Sequence, residues 1–379
     1  MEKIYLKNVS FFQAETERFV PAAVLLGNGI IAETGTLPPP ADAEIVDGRG
    51  GYLIPGLIDC HTHLSLDCGL PHYLERMNGV EPALRQIAEN TLARDLKSGV
   101  TTQRCMGDRF YIDAACKEAV RTGRLTGPRL YVSGIGMRSP KGFGYVGMPV
   151  AGDALSEMIH ENITHGADWI KFYETGTVCE SGAPLGYYNR EEIGRIIAAA
   201  HTAGRPVTSH CIGGAGLLDS VELGIDCIEH AYYATGLEIE RMQAAGTWVC
   251  ITAGEYFTDK EHAPPAYQAQ LREHRPRVRE SMERLVRSGI PFVLGTDGLH
   301  GRLWEEARYA VGFGASPARV LRALTADAAR LLGAEREIGR IAPGMRADLV
   351  LLEENPLEKI EALRGVRQVY QNGKAVLSA

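Results

Sequence analysis

The sequence has little of what would place a chain in a membrane, on nucleic acid or in an oxidising compartment. No apolar run reaches the roughly 18 residues that suggest a bilayer span, so no membrane partner is expected. The segment Met1-Glu2-Lys3-Ile4-Tyr5-Leu6-Lys7 has no apolar core of signal-peptide length. Charge excess is small: 40 Lys+Arg against 47 Asp+Glu, a formal −7. A phosphate backbone demands a basic face, so no nucleic-acid partner is expected either. Cysteine is present, 8 residues in 379, but no close Cys-x-x-Cys pair occurs. Reduced thiols and a cytoplasmic setting are therefore expected rather than a disulfide framework. Cys60 and Cys211 each adjoin a histidine and read as buried packing residues. Low-complexity segments and internal repeats are lacking. With 45% hydrophobic and 23% charged residues, the chain is ordinary and globular.

What is present is punctuation. The 43 glycines suggest many tight turns between many elements. Residues 4–10, 19–26, 44–47 and 51–54 read as strands, with turn chemistry at Gly27-Asn28-Gly29 and a break at Pro38-Pro39-Pro40. The other end mirrors this: a strand at 348–352, alternation at 366–370, and an Asn372-Gly373 hairpin signal. Both ends are too short to bury a core alone, and 1–55 with 340–379 are expected to form one composite β-sandwich. Between them short apolar runs alternate with helical segments. Strand candidates are 57–60, 100–105, 129–133, 168–173, 206–210, 226–230, 247–251 and 291–296, each followed by a helix candidate. This α/β alternation over 56–339 predicts a (β/α)8 TIM barrel, usually about 250 residues. A doubly wound sheet is the alternative, weakened because no G-x-G-x-x-G follows the first strand.

The strand ends carry the chemistry. His61-Thr62-His63 closes the first strand, and residues i and i+2 of a strand point to the same side. Lys171 sits in the fourth strand, His210 ends the fifth, His230 the sixth and Asp297 the eighth. Barrel active sites lie at the C-terminal strand ends, so these scattered residues are expected to converge. Imidazole and carboxylate suit zinc and related divalent ions. A cationic Lys171 inside an apolar strand would be costly and would repel such an ion. A neutral or carbamylated lysine fits better, the carbamate offering two oxygens to two metals.

At these residues the sequence resembles the amidohydrolase superfamily of metal-dependent hydrolases. Pro55-Gly56-Leu57-Ile58-Asp59-Cys60-His61-Thr62-His63 looks like the family's first-strand signature. Gly339-Arg340-Ile341-Ala342-Pro343-Gly344-Met345-Arg346-Ala347-Asp348-Leu349-Val350 looks like its return to the small β domain. Within it, Gly166-Ala167-Asp168-Trp169-Ile170-Lys171 with Thr175-Gly176, and Ala200-His201-Thr202-Ala203-Gly204-Arg205-Pro206-Val207, are most similar to the Xaa-Pro dipeptidase and imidazolonepropionase-like branch. The resemblance implies two divalent ions, zinc by expectation, and a carbamylated Lys171 bridging them. His61, His63 and Asp297 would hold the more buried ion, and His210 and His230 the other. Asp297 would also act as general base and acid. One departure stands out. Many members of the branch carry a His in the loop after the third strand, whereas Gly136 to Tyr145 has none.

For substrate contacts, Arg138, Lys141, His300 and Arg302 are predicted at the active-site mouth, with Tyr145, Tyr187, Tyr188, Tyr232, Tyr233 and Trp304 adding aromatic surface. A cation with one or two tyrosines suggests a small amide bearing a carboxylate, such as an N-acyl amino acid or a dipeptide. The same site would also serve a lactone, ester, phosphotriester or cyclic amide. A one-metal deaminase is disfavoured because the position three after His210, usually Glu in such enzymes, is Gly213. A non-catalytic scaffold is disfavoured because no ligand is missing. His72 reads as an uninvolved loop residue. Asp259 to Glu280 reads as a solvated helical face, a lid or an oligomer contact. The expected partners are a small-molecule substrate and further copies of the chain.

Overall fold

In the computed structural model, residues 3–36, 38–144, 146–178 and 182–376 are described. They divide into two compact units: Met1–Asp59, Ala93–Thr102 and Gly301–Ala379; and Cys60–Leu92 with Gln103–His300.

In the first unit the two chain ends build one seven-stranded sheet. Its order is Lys374–Val376, Val366–Gln371, Leu349–Leu352, Ala43–Pro55, Lys3–Gln13, Arg18–Gly27 and Ile30–Gly35. Two hairpins follow directly from sequence. Asn28-Gly29 and Asn372-Gly373 all have positive φ (58°, 80°, 48° and 72°), the backbone that a two-residue turn between twisted strands requires. The sheet curls back on itself: the Ile31 N–H donates to the Met345 carbonyl (2.8 Å) and the Gly344 N–H to the Ile31 carbonyl (2.8 Å). Its two halves thereby enclose a core that includes Leu6, Val24, Leu26, Ile31, Leu349 and Tyr370.

The fold is a (β/α)8 barrel with this small β domain. The barrel strands are Leu57–Thr62, Val100–Cys105, Arg129–Tyr131, Ile170–Val178, Val207–Cys211, Cys227–His230, Trp248–Ile251 and Phe292–Leu294. The first three form one sheet and the last five a parallel run. The Asp168 N–H donating to the Val132 carbonyl (2.7 Å) links the third strand to the fourth. The ring closes between first and eighth, where the Asp297 N–H donates to the His61 carbonyl (2.8 Å) and the His63 N–H to the Asp297 carbonyl (3.1 Å).

Helices begin where the sequence offers caps. Asn189 and Thr235 each accept a backbone N–H from the glutamate three residues on, and Glu192 and Glu238 return the bond. The eighth strand stops at Leu294, short of the predicted 291–296. At Gly295 a Cβ would stand 2.4 Å from His61 Cβ, so only glycine lets the backbone pass the first strand. All seven described cysteines are buried thiols, Cys60 and Cys211 among them. No helix among the described residues is long and apolar enough to cross a membrane.

Candidate active site

The six residues read from the strand ends lie in the second unit. The ligand atoms of His61, His63 and Asp297 are within 4.8 Å of one another. The His61 and His63 rings lie 5.4 Å apart, as the i, i+2 spacing predicts. His210 and His230 rings are 4.2 Å apart, and His230 is 4.8 Å from His61. Lys171 is fully buried, with Nζ 4.9 Å from the Tyr173 ring centre.

Each fixed imidazole is oriented through Nδ1. His63 Nδ1 donates to the Gly107 carbonyl (2.6 Å). His230 Nδ1 lies 2.6 Å from Thr252 Oγ1. His61 Nδ1 lies 2.7 Å from Glu229 Oε2. These bonds leave Nε2 of each ring for a ligand, the arrangement by which metal-binding histidines are set. Glu229 is itself held by the Arg104 guanidinium (2.7 Å) and the Thr208 hydroxyl. Arg104 also donates to the Cys60 carbonyl (2.6 Å) and lies over the Trp169 ring (4.7 Å). His61, Glu229 and Cys250 also form a cluster of possible metal donors. The Arg104 charge on Glu229 would repel an ion there, so Glu229 reads as an anchor for His61.

Neither Glu229 nor Arg104 was singled out from sequence. Adjacent strand residues normally face opposite sides, so Glu229 beside His230 gave no signal. In the structure His230 has φ 78°, and this left-handed backbone lets both neighbours turn toward the same cluster. Asp297 has φ 59°, a region that aspartate tolerates.

The electrostatics suit a cation. Burial, then the Lys171 charge, holds His61, His63 and His210 below the usual imidazole range. Burial, then His210, does the same for His230. All four are therefore neutral, as metal ligands must be. Burial lowers Lys171 to about 8. Asp297 is pushed up to about 7 by burial and then by the Glu255 charge. A bound cation would offset both of these effects on Asp297. Lys171 Nζ, His230 Nε2 and Tyr173 Oη are buried polar atoms with no hydrogen-bond partner. Neutral imidazoles, a carboxylate and uncommitted polar atoms fit a metal centre.

A cavity of about 530 Å³ opens onto His63, His210, His230 and Asp297. Of the substrate residues expected from sequence, Tyr232 and Tyr233 line it, the Tyr232 hydroxyl 2.7 Å from Thr252 Oγ1. Four others, Arg138, Tyr188, His300 and Arg302, are placed elsewhere. Arg138 does not line the cavity: its side chain donates to the Gly147 carbonyl (3.2 Å). Tyr188 is buried elsewhere, donating to the Val150 carbonyl (2.9 Å). His300 Nε2 lies 3.2 Å from the His63 carbonyl and 3.1 Å from the Leu66 carbonyl, so it ties the first loop down. Arg302 is bound to Glu305 (2.6 Å) on its own helix. Tyr145 lies outside the described residues. Extended side chains of this kind find partners in their own loops, and sequence does not fix that choice. His72 is exposed beside Glu75.

Sequence reasoning missed Glu255, Tyr256, Tyr267 and His274 as lining residues. Glu255 and Tyr256 follow the seventh strand, a position where barrel sites are built, and that signal was available. Tyr267 and His274 lie on the helix Pro265–Arg287, whose arginines and glutamates read as a solvated face. The histidine-free loop after the third strand also has a physical use. Added Cβ atoms on Gly136, Gly144 and Gly147 would come within 2.8–3.0 Å of the Tyr173 ring, so this loop forms a glycine slot for it.

The amidohydrolase family model matches residues 52–376, and the chain belongs to that family. It is an enzyme, a hydrolase acting on carbon–nitrogen bonds. An ochratoxinase of Aspergillus niger is 26% identical over 371 residues, covering 86% of this chain and 76% of the relative. An imidazolonepropionase of Shewanella loihica is 24% identical over 410 residues, covering 94% and 93%. Among solved structures, an amidohydrolase superposes with a TM-score of 0.88 at 25% identity, covering 100% of this chain and 99% of that one. A Xaa-Pro dipeptidase with bound methionine shares the fold, with a TM-score of 0.86 at 23% identity and 99% coverage of each.

Proposed function

We propose that the chain is a binuclear metal hydrolase of an amide C–N bond. His61, His63 and Asp297 would hold one divalent ion and His210 and His230 the other, with carbamylated Lys171 as the bridge and zinc as the ion. The observation that carries this reading is the convergence of four neutral imidazoles, Asp297 and a buried, unpartnered Lys171 amine at the C-terminal mouth of one barrel. Two ions there would supply a nucleophilic water at neutral pH and a polarised carbonyl. The chain's own residues do the rest. The Nδ1 bonds of His61, His63 and His230 hold the rings. The Asp297 carboxylate takes the proton of the attacking water and delivers it to the leaving nitrogen.

The same residues would also open a lactone, ester, phosphotriester or cyclic amide. Deamination has less support. Gly213 has φ 134°, and a Cβ there would meet the Tyr233 backbone at 3.2 Å, so a glutamate is poorly accommodated. The domain division at 55/56 and 339/340, and self-association, stand as proposals beside this one.

The test is a screen of zinc-loaded protein against dipeptides, N-acyl amino acids, uncharged amides, lactones and imidazolones. Asp297→Asn should lower turnover on any active amide by about 10²–10⁴-fold with the fold retained. Near-normal turnover would remove Asp297 as the base.

A further inference from the structure

The cavity has two unlike walls. On one side Met77 and Val146 pack with Tyr173 in an apolar cluster, joined by Leu66, Leu74 and Phe143. On the other, the Tyr233 hydroxyl lies 3.0 Å from the Tyr256 hydroxyl and 3.0 Å from His274 Nδ1, a hydrogen-bonding array. No lysine or arginine is among the described residues lining the space. The cations nearby are committed. Lys260, its side chain 1% exposed, pairs with Glu255 at 3.0 Å. Arg277 lies over the Tyr233 ring (4.7 Å) and donates to the Gly182 carbonyl (2.7 Å).

We propose that the substrate is an uncharged amide carrying a bulky apolar or aromatic group, and that the cavity discriminates against a carboxylate placed away from the scissile bond. This deepens the hydrolase reading and rests on it. An apolar group gains by leaving water for the Met77–Val146 wall. The tyrosine faces favour edge or stacked contact with an aromatic ring. Amide or hydroxyl substituents find partners in the Tyr233–Tyr256–His274 array. A remote carboxylate would lose its hydration with no cation to replace it, a far larger cost than burying a neutral polar group. The volume, about 530 Å³, is in the range that encloses a drug-sized ligand.

The experiment uses zinc-loaded wild-type protein and two matched pairs. One pair is an N-acyl anilide and the same anilide with a ring carboxylate remote from the amide. The other is their non-hydrolysable ketone isosteres, with CH₂ in place of the amide N–H. Calorimetry on the ketones reads binding, and initial rates on the anilides read turnover. The uncharged ketone should bind at least about tenfold tighter, and the uncharged anilide should show the higher kcat/KM. Gln270→Arg puts a cation on the wall from an exposed helix position and should narrow the gap to less than about threefold. Equal or tighter binding of the carboxylated ketone overturns the proposal, as does a gap unchanged in Gln270→Arg. Binding preference without turnover of either anilide or of any amide in the screen leaves this specificity standing and sinks the hydrolase reading instead.

Discussion

His230 shows how a single residue organises the site. Its positive φ breaks strand alternation, so Glu229 and His230 serve one cluster from adjacent positions. The clustered histidines were legible because each ends a predicted strand. Their supports were not, because Glu229, Arg104 and Thr252 look like ordinary strand residues until the barrel closes. Thr252→Val keeps the volume and removes the partner of His230 Nδ1. It should cost about 10–100-fold in affinity for the second ion, read by chelator competition, with the first ion retained. Glu174 allows a pH test. It is pushed from 4.5 up to about 8, mainly by burial, although it accepts the Tyr188 N–H (3.0 Å). Between those values the folded chain binds more protons than the unfolded one, so stability falls as pH rises through this window. Glu174→Gln should abolish that fall, with its melting temperature matching wild type near pH 5 and exceeding it by a few degrees at pH 8.5. Parallel melting curves would contradict the assignment.

At the scale of elements, caps and hairpins were readable because their chemistry is local. Asn372-Gly373 folds as its dipeptide predicts. The helix Arg190–Thr202 starts at a full capping box. Asn189→Ala should therefore cost about 1 kcal/mol, seen as a lower denaturant midpoint at unchanged slope. The helix Pro265–Arg287 has the solvated face expected from sequence, but its second face was not legible, for the converse reason. Its arginines and glutamates dominate the sequence, yet Leu271, Val278, Met282 and Leu285 are buried along one stripe. Tyr267, Gln270, Leu271 and His274 face the cavity. Such a helix is solvated on one face and functional on the other, and composition averages the two.

For the whole molecule, the alternation of eight strands and helices was enough to give the barrel, because a parallel strand needs a crossover that returns it to the same sheet. The interleaving of both chain ends in one sheet was legible from their shared β pattern. The loops were not, because side chains such as Arg138 and Tyr188 choose among partners that only the closed fold supplies. The proposed chemistry requires that this barrel mouth hold two bridged ions. Elemental analysis of protein purified from zinc-supplemented cells tests it most directly, with Lys171→Met alongside. Close to two zinc ions per chain are expected, falling to one or fewer in Lys171→Met. A wild-type chain with one ion or none, or a Lys171→Met chain that keeps two, would contradict it.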